Sequence, residues 1–191
     1  MLIKYAFVLT LIFVFCDTVF SETTKREQLC IDYYKTGNNS FHLNSLLGQK
    51  WYAVYFWPPN QRQRDDCEVI DFKKTSQNDL NLLRNCQKAS TALDDTTVQA
   101  TYINNAGKLT TVTYYGNDEV KSLYRSCERI FKYIFIPINE DYVLGINCSS
   151  GGRGILIAKV FHSLTEVEYV VNGIEIMTGR EGAPDCPLRS T

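Results

Sequence analysis

The hydrophobic and polar positions of this chain alternate with a period of two over most of the sequence after Gly48. Such alternation, in segments rich in Tyr, Val, Ile, Thr and Phe, is typical of strands with one buried face. Eight strands are predicted on this basis: Trp51–Trp57, Cys67–Thr75, Leu80–Lys88, Thr96–Asn104, Lys108–Tyr115, Glu128–Ile138, Tyr142–Cys148 and Gly154–His162. Since short turns join most of them, the pattern predicts an all-β fold, an eight-stranded antiparallel up-and-down barrel.

One segment near the C-terminus has helical spacing instead. Its apolar residues recur on one side of a helix: Val167, Val170, Val171, Ile174 and Met177. Thr165 is placed to cap the first turn, whereas Gly173 and the many β-branched residues leave a strand as the alternative. We expect a short C-terminal helix over Thr165–Met177 that packs on the outside of the barrel.

Residues 1–21 have the form of a secretory signal peptide. Lys4 gives a positive start, and the apolar run Tyr5–Phe15 is too short for a comfortable bilayer span. We expect cleavage after Ser21, which leaves residues 22–191 as one domain of a secreted, extracellular protein. No second long apolar run follows, so no integral membrane segment is predicted.

The charge pattern excludes some partners. The formal net charge is −1, and no run rich in Lys or Arg occurs. We therefore expect no nucleic acid partner and no polybasic contact with a membrane surface.

The cysteines indicate an oxidising compartment. Six follow the predicted cleavage site: Cys30, Cys67, Cys86, Cys127, Cys148 and Cys186. An even number in a secreted chain predicts three disulfides, for which the sequence alone allows fifteen pairings. A zinc site is disfavoured because no Cys-x-x-Cys pair occurs. Asn38 begins a glycosylation sequon, so the protein is also expected to be a glycoprotein.

No set of residues suited to catalysis stands out. The chain lacks a Gly-x-Ser-x-Gly elbow, and its paired carboxylates fall in predicted loops. The two histidines, His42 and His162, lie before the barrel and at the end of a strand, away from the place of a haem ligand. We expect a protein without enzymatic activity, cofactor or metal.

Two motifs mark the starts of the first and seventh predicted strands. They are Leu47-Gly48-Gln49-Lys50-Trp51-Tyr52 and Asn139-Glu140-Asp141-Tyr142. Together with the strand order and the trailing helix, they resemble the lipocalin family over about residues 30–186, in a divergent form like the secreted lipocalins of insects and other arthropods. The family's Gly-x-Trp signature is represented by Gly48 and Trp51 with two residues between them, and its Thr-Asp-Tyr signature by Asp141 and Tyr142. The family's Arg, which packs on the Trp ring, is missing, and we expect His162 to take over part of its role.

The resemblance also implies a disulfide pattern. In bilin-binding lipocalins of insects, the arm before the first strand is bridged to the end of the seventh, which corresponds here to Cys30 with Cys148. A second bridge joins the start of the second strand to the C-terminal tail, which corresponds to Cys67 with Cys186. The same pattern leaves Cys86 and Cys127 as an additional pair.

A lipocalin barrel holds one small hydrophobic molecule, so the resemblance implies a carrier of a retinoid, bilin, carotenoid or fatty acid. Trp51 is expected at the closed end, with Tyr55 and Trp57 on the same inward face and nearer the mouth. Aromatic residues provide area and phenol groups orient a ligand. The predicted ligand contacts are Tyr55, Trp57, Tyr102, Phe131, Tyr133 and Phe135.

The alternative function is that of a secreted protein-binding module or inhibitor that uses the loops at the barrel end. The charged segment Gln61–Asp66 and the additional disulfide are compatible with it. A barrel filled by its own side chains would favour this alternative, and an open cavity would favour the carrier. The sequence predicts neither the identity of a receptor nor the oligomeric state.

Overall fold

Nine strands and two α-helices follow one another in the part of the chain that the structure, a computed structural model, describes. It describes residues 41–60, 65–86, 97–104, 106–116, 120–127, 129–160 and 163–188. The strands are β1 (Lys50–Trp57), β2 (Glu68–Lys74), β3 (Val98–Ile103), β4 (Leu109–Tyr115), β5 (Lys121–Ser126), β6 (Arg129–Pro137), β7 (Tyr142–Asn147), β8 (Arg153–Ala158) and β9 (Ala183–Pro184). The helices are α1 (Gln77–Arg84) and α2 (Leu164–Asn172). The predicted fold class, an eight-stranded antiparallel barrel with a short C-terminal helix, is confirmed.

The barrel is closed by pairing between its first and second strands. Strands β2 to β8 pair with their neighbours in order, and β8 then pairs with β1. The first half of β1 pairs with β2, so that Trp51 lies opposite Ile70. Because each of the strands β1–β8 has a partner on both sides, the barrel presents no long free edge to another chain.

The prediction of a strand over Leu80–Lys88 was wrong, because the described part of this segment belongs to α1 and its C-terminal end. Ser76 caps the helix: its hydroxyl oxygen accepts a hydrogen bond from the backbone N–H of Asp79 at 3.2 Å. Such a cap supplies a partner for an N–H group that the first turn leaves unsatisfied. Leu83 is buried whereas Leu82 is 66% exposed, so one side of the helix packs against the protein.

Strand β5 was absent from the sequence prediction. Leu123 lies opposite Tyr114 of β4 and Phe131 of β6, which places β5 between them in the barrel wall. Lys121 and Arg125 alternate with Leu123 on the same face of this strand. Since charged residues occupy two of the three inward positions, the usual apolar alternation is hidden in the sequence.

The C-terminal segment 181–188, here called the strap, completes the wall where β1 and β2 diverge. Strand β9 lies in the strap and pairs with the second half of β1, with Ala183 opposite Phe56. The disulfide between Cys67 and Cys186 joins the strap to the residue before β2. The strap therefore occupies the edge of β1 that β2 leaves open.

Two of the three predicted disulfides are confirmed: Cys67–Cys186 and Cys86–Cys127. Cys148 is also disulfide-bonded, while its predicted partner Cys30 lies outside the described residues. The expected signal peptide, residues 1–21, and the sequon at Asn38 also lie outside them.

Helix α2 packs on the outside of the barrel, as predicted, but its cap lies two residues before the expected one. Ser163 is the N-cap, and its hydroxyl oxygen accepts from the backbone N–H of Glu166 at 3.4 Å. Val167 is fully buried, whereas Tyr169 is 82% exposed. The helix ends at Asn172, and a short 3-10 turn over Glu175–Met177 follows. Within the described ranges, neither helix is long and apolar enough to cross a bilayer.

The N-terminal end of β1 is closed by side chains around Trp51. Its indole N–H donates a hydrogen bond to the carbonyl oxygen of Leu46 at 3.0 Å. The ammonium group of Lys159 lies 5.5 Å from the centre of the indole ring, close enough for a cation–π interaction. We expected His162 to take over part of the role of the missing Arg on the Trp51 ring. Lys159 contacts this ring instead, and His162 lies outside the described residues. Gly48 precedes the strand with a φ of +79°, which favours glycine at this position.

The predicted motif at Asp141 and Tyr142 forms the turn between β6 and β7. The side-chain carbonyl of Asn139 accepts from the backbone N–H groups of Asp141 and Tyr142, at 2.9 and 3.0 Å. The carbonyl oxygen of Asp141 accepts from the backbone N–H of Lys159 at 3.0 Å. The turn thus joins the end of β8 to the closed end of the barrel.

Candidate functional site: a cavity inside the barrel

A cavity of about 900 Å³ lies inside the barrel. Residues of the β1–β2 and β3–β4 connections, such as Pro58 and Asn104, line it together with Arg153 at the start of β8. These connections share one end of an up-and-down barrel, which we call the mouth. Small-molecule sites typically have volumes of about 300–1,000 Å³, so this cavity is large enough for a ligand the size of a lipid or a pigment.

Aromatic rings form the inner wall of the cavity. The ring of Tyr114 lies 5.1 Å from that of Tyr133 and 5.0 Å from that of Phe135, both in edge-to-face orientation. Phe72 lies 6.5 Å from Tyr114, and Phe41, from the segment before β1, stacks on Phe135 at 5.3 Å. Such pairs stabilise one another and leave a stiff apolar surface.

Three phenol groups meet within this wall. The hydroxyls of Tyr114 and Tyr133 share a hydrogen bond. Burial raises the pKa of the Tyr114 phenol well above its usual value, and the neighbouring phenols Tyr133 and Tyr102 add to the rise. Burial also raises the pKa of Tyr133. It raises the pKa of Tyr102 as well, although the positive charge of Arg125 opposes that rise. At neutral pH the three phenols are therefore uncharged. One hydroxyl of the Tyr114–Tyr133 pair donates to the other, so the pair has one O–H group left to offer a ligand.

Gly145 of β7 makes room for the Tyr133 ring. Phe135 lies opposite Gly145 in the β6–β7 pairing, and the ring of Tyr133 extends over the same glycine. A Cβ atom added at Gly145 would lie 2.5 Å from the Tyr133 hydroxyl oxygen and 2.9 Å from a ring carbon. The glycine thus determines where the Tyr133 phenol stands in the cavity.

The cavity is apolar in its depth and charged near the mouth. Arg125 and Arg153 line it from the β5 and β8 strands, and Glu68 and Glu181 line it from β2 and the strap. The side-chain oxygen of Asn147 is buried and has no hydrogen-bond partner among the described residues. A ligand with an apolar body and a polar end would match this division.

The inward face of β1 differs from the prediction because the strand is irregular. The pairing register with β8 shifts between Ala53 and Tyr55. Such a bulge turns the following side chains to the opposite face. Phe56 consequently lines the cavity, and Tyr55 does not. The prediction that Tyr55 faces inward was wrong: its ring lies against Gly182 of the strap.

The other predicted contacts divide into two groups. Tyr102, Tyr133 and Phe135 line the cavity. Trp57 also lines it, but its ring lies close to Gly154 and Gly182. Phe131 shares the inward face because it pairs with Leu123, but it is half-exposed and is not among the lining residues. Ligand contact by any of these residues stays a prediction.

Several lining residues escaped the sequence analysis. They are Phe56, Glu68, Ile70, Phe72, Tyr114, Leu123, Arg125, Gly145, Asn147, Arg153, Ile155, Ile157 and Glu181, among others. The alternation of Glu68, Ile70 and Phe72 along β2 was a usable signal, since three residues two apart share a face. A lone glutamate in such a run is easily taken for a solvent-facing residue.

His42 is not among the residues that line the cavity, and His162 lies outside the described residues. His42 is exposed and precedes the 3-10 turn Leu43–Leu46, where its carbonyl oxygen accepts from Ser45. Within the described ranges, no cluster of three or more His, Cys, Asp or Glu side chains is placed to hold a metal ion.

No family model matches the chain, and no curated protein is similar to it in sequence. Fold and cavity chemistry therefore carry the functional argument.

Proposed function

We propose that the protein is a secreted carrier that binds one small hydrophobic ligand inside its barrel, and that it is a divergent member of the lipocalin family. The observation that carries the proposal is the cavity of about 900 Å³ with an aromatic inner wall and a polar mouth. The predicted strand order, the Trp51 and Asp141-Tyr142 motifs and two disulfides of the expected pattern support the family assignment.

The ligand is expected to be elongated or flat, with most of its surface apolar. Its apolar part would contact Phe72, Tyr114 and Phe135, and its polar end would lie near the mouth. The phenol of Tyr133 provides a hydrogen bond that orients a carbonyl or hydroxyl group in the part of the ligand between these two ends. Retinoids, bilins, carotenoids and fatty acids all have this general form.

The alternative, a protein-binding module, was expected to have a barrel filled by its own side chains. The cavity is the opposite arrangement and favours the carrier. Of the two features compatible with the alternative, the additional disulfide Cys86–Cys127 is present, and the segment Gln61–Arg64 of the charged loop lies outside the described residues.

Native mass spectrometry of the secreted protein, before and after incubation with a panel of lipophiles, tests the carrier function. We expect one bound molecule per chain that is lost on denaturation. The double variant Ala100→Leu/Ile155→Trp enlarges two lining side chains and should weaken binding about tenfold or more, which corresponds to about 1.4 kcal/mol of lost interaction.

The matched control is Thr111→Trp, which adds a large ring at an exposed position of β4 and should leave binding unchanged. No saturable uptake of any lipophile by the unmodified protein would refute the carrier function. Equal loss in Thr111→Trp would show that the double variant acts through the fold and not through the cavity.

A further inference from the structure

A row of exposed aliphatic side chains crosses the outside of the barrel next to the mouth. Ile103 and Leu109 lie opposite each other in the β3–β4 hairpin and are 49% and 67% exposed. Val69 of β2 is 42% exposed. The β2–β3 pairing ends at Asp71 with Thr101, and Val69 and Ile103 lie two residues beyond this pair towards the mouth on the same outward faces of their strands. We call Val69, Ile103 and Leu109 the mouth row.

The apolar character is confined to the mouth. One pair further from it, the outward positions of the same three strands are Asp71, Thr101 and Thr111. The hydroxyls of Thr101 and Thr111 are 3.4 Å apart, and Asp71 pairs with Lys73 at 2.6 Å. A partner that docked on the side of the barrel would have to bury this polar row, so the pattern fits contact through the barrel end alone.

The mouth row lies directly beside the cavity. Tyr102 and Asn104, which flank Ile103 along β3, both line it. Because successive side chains of a strand point to opposite faces, the hairpin carries cavity wall on one side and the mouth row on the other. A surface that met the mouth row would also meet the opening.

Basic side chains lie at three of the four connections around the mouth. Lys108 is exposed at the tip of the β3–β4 hairpin, Arg125 and Arg129 are exposed at the adjacent β5–β6 hairpin, and Arg153 is exposed across the barrel at β7–β8. In these three hairpins the sequence has one acidic residue, Glu128, which lies outside the described residues, whereas the β1–β2 connection carries the exposed residues Asp65 and Asp66. The sequence shows no basic run, because the charges come from three separate hairpins.

We propose that the mouth, with the mouth row and Lys108 foremost, docks on the surface of a lipid bilayer that contains anionic lipid, and that the cavity exchanges its ligand there. Exposed aliphatic side chains enter the interfacial region, while Lys and Arg beside them contact anionic headgroups. The ligand-exchange part rests on the proposed carrier function, because a hydrophobic ligand that partitions into membranes is most accessible at such a surface. Docking itself does not depend on that function.

The test is co-sedimentation with vesicles of phosphatidylcholine alone and of phosphatidylcholine with phosphatidylserine. We expect binding to the anionic vesicles that weakens as salt is raised. Ile103→Thr/Leu109→Thr should lower the partition coefficient about tenfold, since it removes apolar area at exposed strand positions. Lys108→Gln should lower it about fivefold, the effect of one basic charge near an anionic surface.

Matched controls lie at the closed end. Val160→Thr changes an aliphatic residue that is 52% exposed and follows β8, and Lys50→Gln removes an exposed charge at the start of β1. Both should bind vesicles like the unmodified protein. If they lose binding as much as the mouth variants do, the mouth is not the docking surface and the proposal is overturned.

A second readout separates docking from carriage. Transfer of a fluorescent fatty acid from vesicles to the protein should speed up with vesicle concentration and slow down in the mouth variants. Vesicle binding without uptake of this probe or of any lipophile in the panel would support docking and refute the carrier function. Uptake without vesicle binding would support the carrier function and refute docking. Self-association that Ile103→Thr/Leu109→Thr abolishes, without vesicle binding, would assign the mouth row to a second copy of this chain and overturn the proposal.

Discussion

The phenol ring of Tyr133 on β6 covers Gly145 on β7 so closely that the glycine cannot carry a side chain without moving the ring. Gly145→Ala should therefore displace Tyr133 in the cavity and lower the free energy of unfolding by about 1–3 kcal/mol, as overpacking of a core does. Denaturant unfolding measures the stability.

Gly173→Ala is the matched control for this change. Its added Cβ would meet no atom closer than 3.4 Å, and the backbone there has a negative φ. It should leave stability unchanged or raise it by up to about 1 kcal/mol. If Gly145→Ala is as well tolerated as this control, Tyr133 is free to move and the cavity wall is softer than described.

The disulfide between Cys67 and Cys186 closes a chain segment of 119 residues, and that between Cys86 and Cys127 one of 41. In the chain-entropy account, the longer loop gives the larger stabilisation, about 5 against about 4 kcal/mol. Cys67→Ser/Cys186→Ser should therefore lower the free energy of unfolding more than Cys86→Ser/Cys127→Ser does, as measured by urea unfolding. The Cys67/Cys186 variant should in addition become sensitive to trypsin at Arg180, because the strap that begins at residue 181 would no longer be tied to the residue before β2. Equal protease resistance in both variants would contradict that role of the bridge.

Alkaline pH should destabilise the protein through its buried phenols. Burial raises the pKa of Tyr114 and Tyr133 above the usual value, which is about 10 and applies to the unfolded chain. Above about pH 10 the unfolded state loses these protons first, so the free energy of unfolding falls until the pH reaches the raised values of the folded state. Below about pH 10 both phenols are protonated in the folded and the unfolded state, so they add no pH dependence to the free energy of unfolding.

Tyr114→Phe/Tyr133→Phe should flatten this fall, which urea unfolding at stepwise increasing pH measures. Tyr169→Phe removes the hydroxyl from a ring that is 82% exposed and serves as the control. An unchanged slope in the double variant would assign the alkaline instability to other groups.

Ser163 and Thr165 provide a test of the α2 cap. Ser163→Ala should lower the free energy of unfolding by about 1 kcal/mol, because it removes the acceptor for the Glu166 N–H. Thr165→Ala should have little effect, since Thr165 is exposed inside the first turn. Thermal unfolding of the two variants distinguishes them, and the reverse order would restore the cap that the sequence pattern favoured.

Part of the site was predictable from the sequence. The placement of Tyr102, Tyr133 and Phe135 on inward faces follows from alternation along regular strands, and the structure has all three in the cavity wall. Tyr55 failed because a bulge follows Ala53, and the extra residue turns Tyr55 away from the cavity and Phe56 towards it. A bulge depends on how β8 and the strap pair with β1, so alternation along β1 alone does not reveal it.

Alternation along the chain also failed to predict two elements, α1 and β5. Leu80–Lys88 contains leucines that fit a short strand, but the cap formed by Ser76 and Asp79 begins a helix instead. Strand β5 was missed because Lys121 and Arg125 face inward. An inward charge is tolerable only where a polar cavity or a partner group receives it, and that partner comes from elsewhere in the chain.

The sequence by itself determined the fold class, most of the period-two strands and the helix near the C-terminus, because each depends on residues that are neighbours along the chain. Tertiary structure decided which side chains share the cavity, how the strap completes the wall, and that Lys159 contacts Trp51. It also placed Lys108, Arg125 and Arg153 at three separate hairpins around one end of the barrel. These relations join residues that are far apart along the chain, and only closure of the barrel brings them within reach of one another.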